Sequence, residues 1–299
     1  MCGIAAFFAK SADCEQNLGK LFAPMLSCLA GRGPDSAGFA LYRNPVPIGR
    51  TKLVLQHPDD AYDWASLCAR FSDTDYFVLS SHCVAAVPKD SELPGALEAE
   101  GITLMSSGAS IEIYKETGSP DSVMTRFGLE NAMGSHAIGH TRMATESAVT
   151  TAGSHPFSTG MDLCLVHNGS LSNHNRLRRY LRREGIVFRT DNDSEVAAGY
   201  LSWRLQQGES LEDALHGALS DLDGFFTFAV GTADGFAVLR DPIACKPAVL
   251  AETEDWVAMA SEYRSLTHLP GIESAALWEP DPGKVYVWKK AASTELLAA

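Results

Sequence analysis

The sequence predicts a layered α+β fold in which helices pack against antiparallel sheets. Three observations support this prediction. Short apolar segments typical of buried strands occupy the first part of the chain, beginning with GIAAFF at 3–8. Helical segments follow one another in the middle of the chain. The last third consists of short alternating strands joined by Gly, Asp and Pro turns, as in antiparallel sheets.

The predicted elements follow in chain order. A helix over 14–30 ends at the glycine-rich turn GRGPDSAG, and a strand follows at 37–43. Further strands are predicted at 76–82, 109–116, 136–142 and 162–169. A basic helix comes next, with Ser172 or Asn173 as N-cap and Gly185 as C-cap. NDSEVAAGYLSWRLQQG and SLEDALHGALSDLDG are two more helices, and the final strands are FFTFAVGT, GFAVLRD, AVLAET, WVAMASE and KVYVWKK.

The 299 residues are enough to bury a large core. We expect a single domain over 2–299. Residues 44–135 have the weakest pattern, because PVP, HPDD, VPKDSELPG and TGSPDS interrupt their strands. This segment is therefore predicted to be an insertion-like elaboration of the domain.

Composition excludes several classes of function. The net charge of −13 argues against nucleic acid as a partner, since proteins that bind it carry basic surfaces. No apolar stretch is long enough to span a membrane, and the N-terminus lacks the basic start of a secretory signal. The seven cysteines are scattered and form no CxxC pair, so neither a disulfide framework nor a zinc site is predicted. We expect a cytoplasmic protein with reduced thiols.

The chain begins MCGIAAFFAK, which places a thiol one residue from the N-terminus. A free cysteine often packs as a small apolar residue. If Met1 is removed, however, Cys2 carries a thiol and a free α-amine on the same residue. A nucleophile that brings its own base is an established catalytic arrangement.

Two polar clusters contain arginine. GRGPDSAG at 31–38 lacks the spacing and the Lys-Ser/Thr ending of a phosphate-binding loop, so an ordinary turn with an Arg32–Asp35 contact is the simpler interpretation. In GHTRMAT at 139–145, Arg142 ends a predicted strand and Thr145 follows it. A guanidinium can bind a carboxylate through two parallel hydrogen bonds, although a surface ion pair is the commoner role of an arginine.

Two further clusters surround the basic helix. HNGSLSN at 167–173 contains an Asn-Gly turn signal, and the same pair offers a side-chain amide and an unobstructed backbone N–H as donors to an oxyanion. TDNDSE at 190–195 places acids at a helix start, where they stabilise the helix. A carboxylate there could also bind an α-ammonium group.

Four histidines, His136, His140, His155 and His167, raise the question of a metal site, because imidazole is a common metal ligand. Their sequence contexts are unlike H-E-x-x-H or Cys/His ligand sets. No metal site is therefore predicted.

Taken together, the clusters resemble the class II, or N-terminal-nucleophile, glutamine amidotransferases. The motifs occur in the family's order: Met-Cys-Gly-Ile at 1–4, Arg-Gly-x-Asp-Ser at 32–36, Gly-His-x-Arg-x-x-Thr at 139–145, His-Pro at 155–156, His-Asn-Gly at 167–169, Asn-Asp-Ser-Glu at 192–195, LRDPIACKP at 239–247 and ASEYRSL at 260–266. Each motif alone is weak, but the ordered set extends over nearly the whole chain.

The resemblance implies a four-layer α-β-β-α sandwich of the N-terminal-nucleophile hydrolase type and hydrolysis of L-glutamine to glutamate and ammonia. It implies that Cys2 is the nucleophile and that its α-amine moves the proton. Asn168 and the Gly169 N–H are then the expected oxyanion hole.

The resemblance also implies how the substrate is held. Arg142 is expected to bind the α-carboxylate of glutamine and Asp193 its α-ammonium. Thr145 is expected to bind the same end of the substrate, and Arg32 is expected to order the N-terminus.

More narrowly, GHTRMATESAVT, LCLVHNGSLSNHN and EPDPGKVYVWKK resemble the stand-alone amidotransferase subunits of glutamate-synthase-like systems. That group includes the N-methylglutamate synthase subunit of methylamine-using bacteria. The resemblance implies that the chain itself holds no cofactor and works in a hetero-oligomer. Its expected partners are FMN-dependent synthase subunits, with an iron–sulfur cluster as a further candidate cofactor there.

Two alternatives remain open. The chain could be a non-catalytic subunit that organises its partners, with the basic helix 175–184 or the 44–135 segment as a docking surface. It could also be an N-terminal-nucleophile hydrolase of another amide, although Arg142 and Asp193 suit an amino-acid head group.

Overall fold

A computed structural model describes residues 2–144 and 148–290 of the chain. Its helices are α1 (Ala12–Gln16), α2 (Leu18–Ser27), α3 (Trp64–Cys68), α4 (Leu93–Ala96), α5 (Pro120–Arg126), α6 (His174–Arg183), α7 (Asp193–Gln206) and α8 (Leu211–Asp221). Its strands are β1 (Gly3–Ala9), β2 (Ser36–Tyr42), β3 (Arg50–Gln56), β4 (Asp75–Leu79), β5 (His82–Pro88), β6 (Thr103–Gly108), β7 (Ile111–Thr117), β8 (His136–Arg142), β9 (Cys164–Leu171), β10 (Gly224–Thr232), β11 (Gly235–Arg240), β12 (Val249–Glu252), β13 (Trp256–Ala260), β14 (Ala276–Trp278) and β15 (Val285–Lys289).

Two antiparallel sheets form the centre of the fold. The larger sheet has the strand order β14-β12-β13-β1-β8-β2-β7, and the smaller has the order β15-β11-β10-β9. Val166 and Val238, on the inner face of the smaller sheet, share one buried core with β1 and β8 of the larger sheet. Because successive strand residues point to opposite faces, Leu165 and Leu239 contribute to a second core beneath α6, α7 and α8.

Helices cover the outer face of each sheet. Helix α2 packs on β1 and β8, and α5 packs on β2 and β7. The resulting order of layers is α-β-β-α, which confirms the predicted fold class. In the part of the chain that the structure describes, no helix has the length and apolar character needed to cross a membrane.

The helix predicted over 14–30 is two helices. Ser11 caps α1 through the backbone N–H of Cys14, and α1 ends at Gln16, after which the backbone of Asn17 leaves the helical conformation. The short polar side chain of asparagine competes with helical hydrogen bonding, which explains the break. The second helix, α2, ends at Ser27 and is followed by a short 3-10 turn at Ala30–Arg32.

A third sheet, of order β4-β5-β3-β6, lies within the segment with the weakest sequence pattern. With α3 and α4 it encloses a small core of its own, which includes Leu55, Trp64 and Leu93. We call residues 50–108 the insertion sheet. The prediction placed the elaboration at about 44–135, whereas β7 and α5, within those bounds, belong to the main layers.

Candidate active site

Cys2 lies directly before β1, the central strand of the larger sheet. Since Gly3 pairs with Thr141, Cys2 lies level with Arg142 at the end of β8. Its side chain is half-buried, and its Sγ is 3.9 Å from the backbone oxygen of Met143. Gly3 allows close packing at this point, because a Cβ there would come within 2.9 Å of Thr141 Oγ1.

Arg32 holds the backbone of Cys2. Its Nε donates to the Cys2 carbonyl oxygen at 2.9 Å, and its Nη1 forms an ion pair with Glu262 Oε1 at 2.7 Å. The hydrogen bond from Arg32, together with nearby Arg264, holds the pKa of the Glu262 carboxyl below its usual value. Arg32, in the turn after α2, thereby joins the backbone of Cys2 to Glu262, which follows β13.

Asn168 approaches Cys2 from the smaller sheet. Its Nδ2 lies 3.3 Å from the Cys2 carbonyl oxygen and 3.1 Å from Ser261 Oγ. Its Oδ1 lies 3.2 Å from His140 Nε2. Ser261 Oγ in turn accepts from the backbone N–H of Ile4 at 2.9 Å. The buried Asn168 amide therefore has a polar partner at each end.

Gly169 follows Asn168 in a backbone conformation that other residues rarely adopt, with φ of +151°. A Cβ at this position would come within 2.0 Å of the Phe225 carbonyl oxygen on β10. The position therefore requires glycine. Its backbone is exposed beside the buried Asn168 side chain.

The turn GRGPDSAG holds the segment that leaves β8. The backbone N–H of Asp35 donates to the carbonyl of Arg142 at 3.1 Å, and Asp35 Oδ2 accepts from the N–H of Ala144 at 2.8 Å. The nearly buried Arg142 directs its Nη1 to the Ala148 carbonyl oxygen at 3.4 Å. Thr145 lies outside the described residues.

Asp193 begins α7 beside the end of β9. Its Oδ2 accepts from the backbone N–H of Leu171 at 2.9 Å, and its Oδ1 lies 3.3 Å from Ser194 Oγ and 3.9 Å from His167 Nδ1. The side chain remains 23% exposed, so a ligand can reach it. Asn192, the N-cap of α7, approaches the Gly153 carbonyl oxygen at 3.5 Å. The start of α7 thus contacts both β9 and the segment after Arg142.

Three of the four histidines lie together behind this region. The rings of His140 and His155 stack with their centroids 4.0 Å apart, and His167 Nδ1 lies 2.9 Å from Ser194 Oγ. Burial lowers the pKa of all three, that of His140 to about 3, so they are neutral at pH 7. Over residues 2–144 and 148–290, no group of three His, Cys, Asp or Glu side chains is placed to hold a metal ion.

The structure brings Cys2, Arg32 and Asn168 into one contact network, with Arg142 at the adjacent strand end and Asp193 beside β9. Sequence reasoning gave no role to Ser261 or Glu262, which both contact this network. The available signal was the polar Ser-Glu pair directly after the apolar strand WVAMA.

Comparison with known proteins identifies the class. Residues 140–268 match a glutamine amidotransferase domain. The glutamine amidotransferase-like protein GlxB of Rhizobium meliloti is 53% identical over 296 residues, which cover 96% of this chain and 98% of that protein. The chain therefore belongs to the glutamine amidotransferases, and within them to class II.

Other relatives are more distant. A putative glutamine amidotransferase of Methanothermobacter thermautotrophicus is 31% identical over 97% of this chain and 100% of that protein. The amidophosphoribosyltransferase of Methanocaldococcus jannaschii is 30% identical over 60% of this chain and 38% of that protein.

Solved structures share the fold of this chain. The glutamine phosphoribosylpyrophosphate amidotransferase of B. subtilis aligns with a TM-score of 0.63 at 20% identity, over 96% of this chain and 47% of that chain. The chain thus corresponds to about half of that larger protein.

Proposed function

We propose that this chain is a glutaminase subunit that hydrolyses L-glutamine to glutamate and ammonia through a thioester on Cys2, and that it supplies the ammonia to a separate synthase subunit. The observation that carries the chemistry is the Asn168 amide. Its Nδ2 lies 3.3 Å from the Cys2 carbonyl oxygen, so a hydrogen-bond donor from the second sheet is directed at the residue that bears the thiol.

The first step requires removal of Met1, which frees the α-amine of Cys2. An α-amine has an ordinary pKa of roughly 7.7–8.0, so it is partly unprotonated near pH 7 and can accept the thiol proton. The sulfur then forms a bond to the side-chain amide carbon of glutamine. The electron pair of the C=O bond moves to oxygen and leaves an oxyanion.

Asn168 Nδ2–H and Gly169 N–H are the proposed donors to this oxyanion. The Asn168 contact with the Cys2 carbonyl is long at 3.3 Å, whereas Arg32 donates to the same oxygen at 2.9 Å. Nδ2 can therefore exchange this long contact for one with the oxyanion, and the Cys2 carbonyl remains hydrogen-bonded to Arg32. Catalytic hydrogen bonds often shorten only when the reacting group is present.

The tetrahedral intermediate collapses when the C–N bond breaks and the α-ammonium of Cys2 gives its proton to the leaving nitrogen. Ammonia departs, and a glutamyl thioester remains. Water then attacks the thioester carbon while the α-amine accepts a proton from it. The C–S bond breaks, the thiol is restored and glutamate leaves.

Arg142 and Asp193 are the proposed holders of the amino-acid end of glutamine. A guanidinium pairs with a carboxylate through two hydrogen bonds, and the partly exposed Asp193 carboxylate suits an ammonium. Thr145 is proposed to assist at the same end. Other amides without this head group would bind poorly.

The proposed partner is an FMN-dependent synthase subunit of the glutamate synthase or N-methylglutamate synthase kind. Support comes from the full-length match with the R. meliloti relative, which is covered over 98% of its length. The M. jannaschii amidophosphoribosyltransferase, by contrast, is covered over only 38%. The part that matches this chain thus occupies nearly the whole R. meliloti relative, which favours an acceptor on a separate subunit.

Mass spectrometry of the N-terminus with a glutaminase assay tests the chemistry. We expect Met1 to be absent, Cys2 to be labelled by the glutamine analogue 6-diazo-5-oxo-L-norleucine, and Cys2→Ala to be inactive. Cys245→Ala, at an exposed cysteine, is the matched control and should keep full activity. An intact Met1, or an active Cys2→Ala, would contradict the mechanism.

Purification of the chain from its native source tests the partner. We expect a co-purifying subunit with the absorption spectrum of bound FMN and glutamine-dependent amine transfer by the complex. A complex whose transfer activity uses only free ammonia, with Cys2 unlabelled, would instead support the organising role.

A further inference from the structure

We infer that His140 is a positioning residue: its ring, protonated at Nε2, fixes the orientation of the Asn168 amide so that Nδ2 faces Cys2. This inference rests on the proposed role of Asn168 as an oxyanion donor. The inference assigns a role to a residue that does not contact the substrate. This residue determines which atom of the Asn168 side chain faces the substrate.

The contact lies between the two sheets. His140 is on β8 of the larger sheet and almost completely buried. Its Nε2 lies 3.2 Å from the His167 carbonyl oxygen and 3.2 Å from Asn168 Oδ1, both on β9 of the smaller sheet. One ring nitrogen thus meets two oxygens of adjacent residues.

The His167 carbonyl determines where the imidazole proton is. A carbonyl oxygen can only accept a hydrogen bond, so the nitrogen that faces it must carry the hydrogen. His140 is therefore the Nε2–H tautomer. That hydrogen is shared with the side chain of Asn168, which must present an acceptor, and this places Oδ1 toward His140.

The Cys2 carbonyl leads independently to the same orientation. It too can only accept, so the Asn168 atom 3.3 Å from it must be the NH₂ group. The reversed amide would place oxygen against the Cys2 carbonyl and nitrogen against the His140 N–H. Ser261 Oγ is compatible with the observed orientation, because it can accept from both Ile4 N–H and Asn168 Nδ2.

The ring of His140 cannot easily turn away. It stacks on His155 with centroids 4.0 Å apart and an interplanar angle of 27°. Burial also lowers its pKa to about 3, so the ring carries no charge near neutral pH. The neutral ring can therefore hold the Asn168 amide without placing an unpaired charge beside the nucleophile.

This arrangement predicts a specific kinetic effect. The oxyanion exists only in the transition state and intermediate, so an Asn168 amide that is wrongly oriented should slow the reaction without weakening glutamine binding. Loss of one complete oxyanion donor typically lowers kcat by about 100- to 1,000-fold. Loss of its orientation should cost less, roughly 10- to 100-fold in kcat.

The test compares ring variants in the full chain. His140→Phe keeps a stacking ring but removes the donor, and we expect kcat for glutamine hydrolysis to fall roughly 10- to 100-fold with KM changed less than about twofold. His140→Gln can place an N–H near the Nε2 position and should recover most of kcat. His136→Phe is the matched control at the other end of β8, where the ring stacks on Tyr42 and its Nε2 contacts the Thr232 carbonyl oxygen. It should leave kcat unchanged.

A double-mutant cycle separates this inference from the proposed function. If Asn168→Ala lowers kcat and His140→Phe adds nothing in that background, His140 acts through Asn168. If Asn168→Ala lowers kcat but His140→Phe alone does not, the inference is wrong and the oxyanion role stands. If Asn168→Ala leaves kcat unchanged, the oxyanion role itself is wrong.

A spectroscopic measurement covers the case in which His140→Phe does not fold. Nuclear magnetic resonance of the wild-type chain with isotope-labelled histidine distinguishes the two neutral tautomers and the imidazolium. We expect His140 to be the neutral Nε2–H form at pH 7. The Nδ1–H tautomer, or a charged ring, would overturn the assignment.

Discussion

The region around Cys2 and the insertion sheet use buried polar groups in different ways. Around Cys2, polar side chains hold backbone atoms: Arg32 donates to the Cys2 carbonyl, and Asp35 accepts from the N–H of Ala144. These contacts fix the backbone around the proposed nucleophile and around the segment after β8.

Where the insertion sheet meets β7 of the larger sheet, buried polar groups instead join one sheet to the other. Lys52 of β3 and Arg43 both pair with Glu112 of β7, at 2.9 Å and 2.6 Å. The Glu112 side chain is only 2% exposed. We therefore expect changes near Cys2 to appear in the kinetics, and changes at the insertion sheet to appear in the stability.

Glu112→Gln should have the largest effect on stability. The change leaves Lys52 and Arg43 without their carboxylate, and removal of one partner of a buried ion pair typically costs about 3–5 kcal/mol. Urea unfolding followed by tryptophan fluorescence measures this loss. Glu254→Gln, at an exposed position, is the control. The kcat and KM for glutamine should not change, and a large kinetic effect would contradict the separation of the two regions.

The same carboxyl gives a pH dependence. Burial alone would raise the pKa of Glu112, but the charges of Arg43 and Lys52 outweigh it, so the folded-state pKa lies below the usual value. A lowered carboxyl pKa contributes stability that is complete above the unfolded-state value of about 4.3 and is lost as the pH falls through the folded-state value. Glu112→Gln should therefore lose less stability than the wild type over that acid range.

We expect the next largest effect from Arg142→Lys, and this effect should appear in the KM for glutamine. Lysine keeps the charge but lacks the planar pair of donors, and hydrogen bonds to charged groups contribute about 1.5–3 kcal/mol. We expect KM for glutamine to rise roughly 10- to 100-fold, with kcat changed only a few-fold. Steady-state kinetics on the active complex provide the measurement, and Arg176→Lys on the exposed face of α6 is the control. An unchanged KM would contradict the proposed role of Arg142 in binding glutamine.

The sequence allowed most of the main layers to be predicted, because their strands are continuous apolar runs such as GIAAFF and FFTFAVGT. Strands β3, β5, β6 and β14 were missed. Strand β3 contains the buried Lys52, whose ion-pair partner Glu112 is distant in sequence. A pattern of neighbouring residues does not contain that information.

The candidate site shows the same limit. Cys2, Arg142 and Asn168 are found within motifs, but the contact of Ser261 with Asn168 depends on how β13 and β9 meet from two different sheets. The orientation of the Asn168 amide likewise depends on two backbone carbonyls, which no residue type encodes.

Lys115 connects β7 to the segment that follows Arg142, so its effect on stability can be compared with that of Glu112. It lies on β7, and its buried Nζ donates to the carbonyl oxygens of Ala152, Ser154 and Pro156 in the segment after Arg142. Burial lowers its pKa to about 7. The unfolded chain, with an ordinary lysine pKa near 10.4, binds more protons between these values, so stability should rise with pH there by up to about 1.4 kcal/mol per pH unit.

Lys115→Met removes this titration. We expect the difference in unfolding free energy between wild type and Lys115→Met to grow in favour of the wild type from roughly pH 7 to pH 10. Urea unfolding at several pH values measures it. A difference that stays constant with pH would show that the lysine remains charged, held by its three carbonyl partners.

Phe77→Ser should have the smallest effect on stability, and it tests whether the edge strand of the insertion sheet is exposed to solvent. Phe77 lies on β4, at a free edge of that sheet, and is 47% exposed. A substitution at such a position usually changes stability by no more than about 0.5 kcal/mol. Leu55→Ala, in the buried core of the same sheet, should cost about 2–5 kcal/mol. If Phe77→Ser instead costs as much as Leu55→Ala in urea unfolding, the edge strand is covered in solution. The insertion sheet would then take part in an interface.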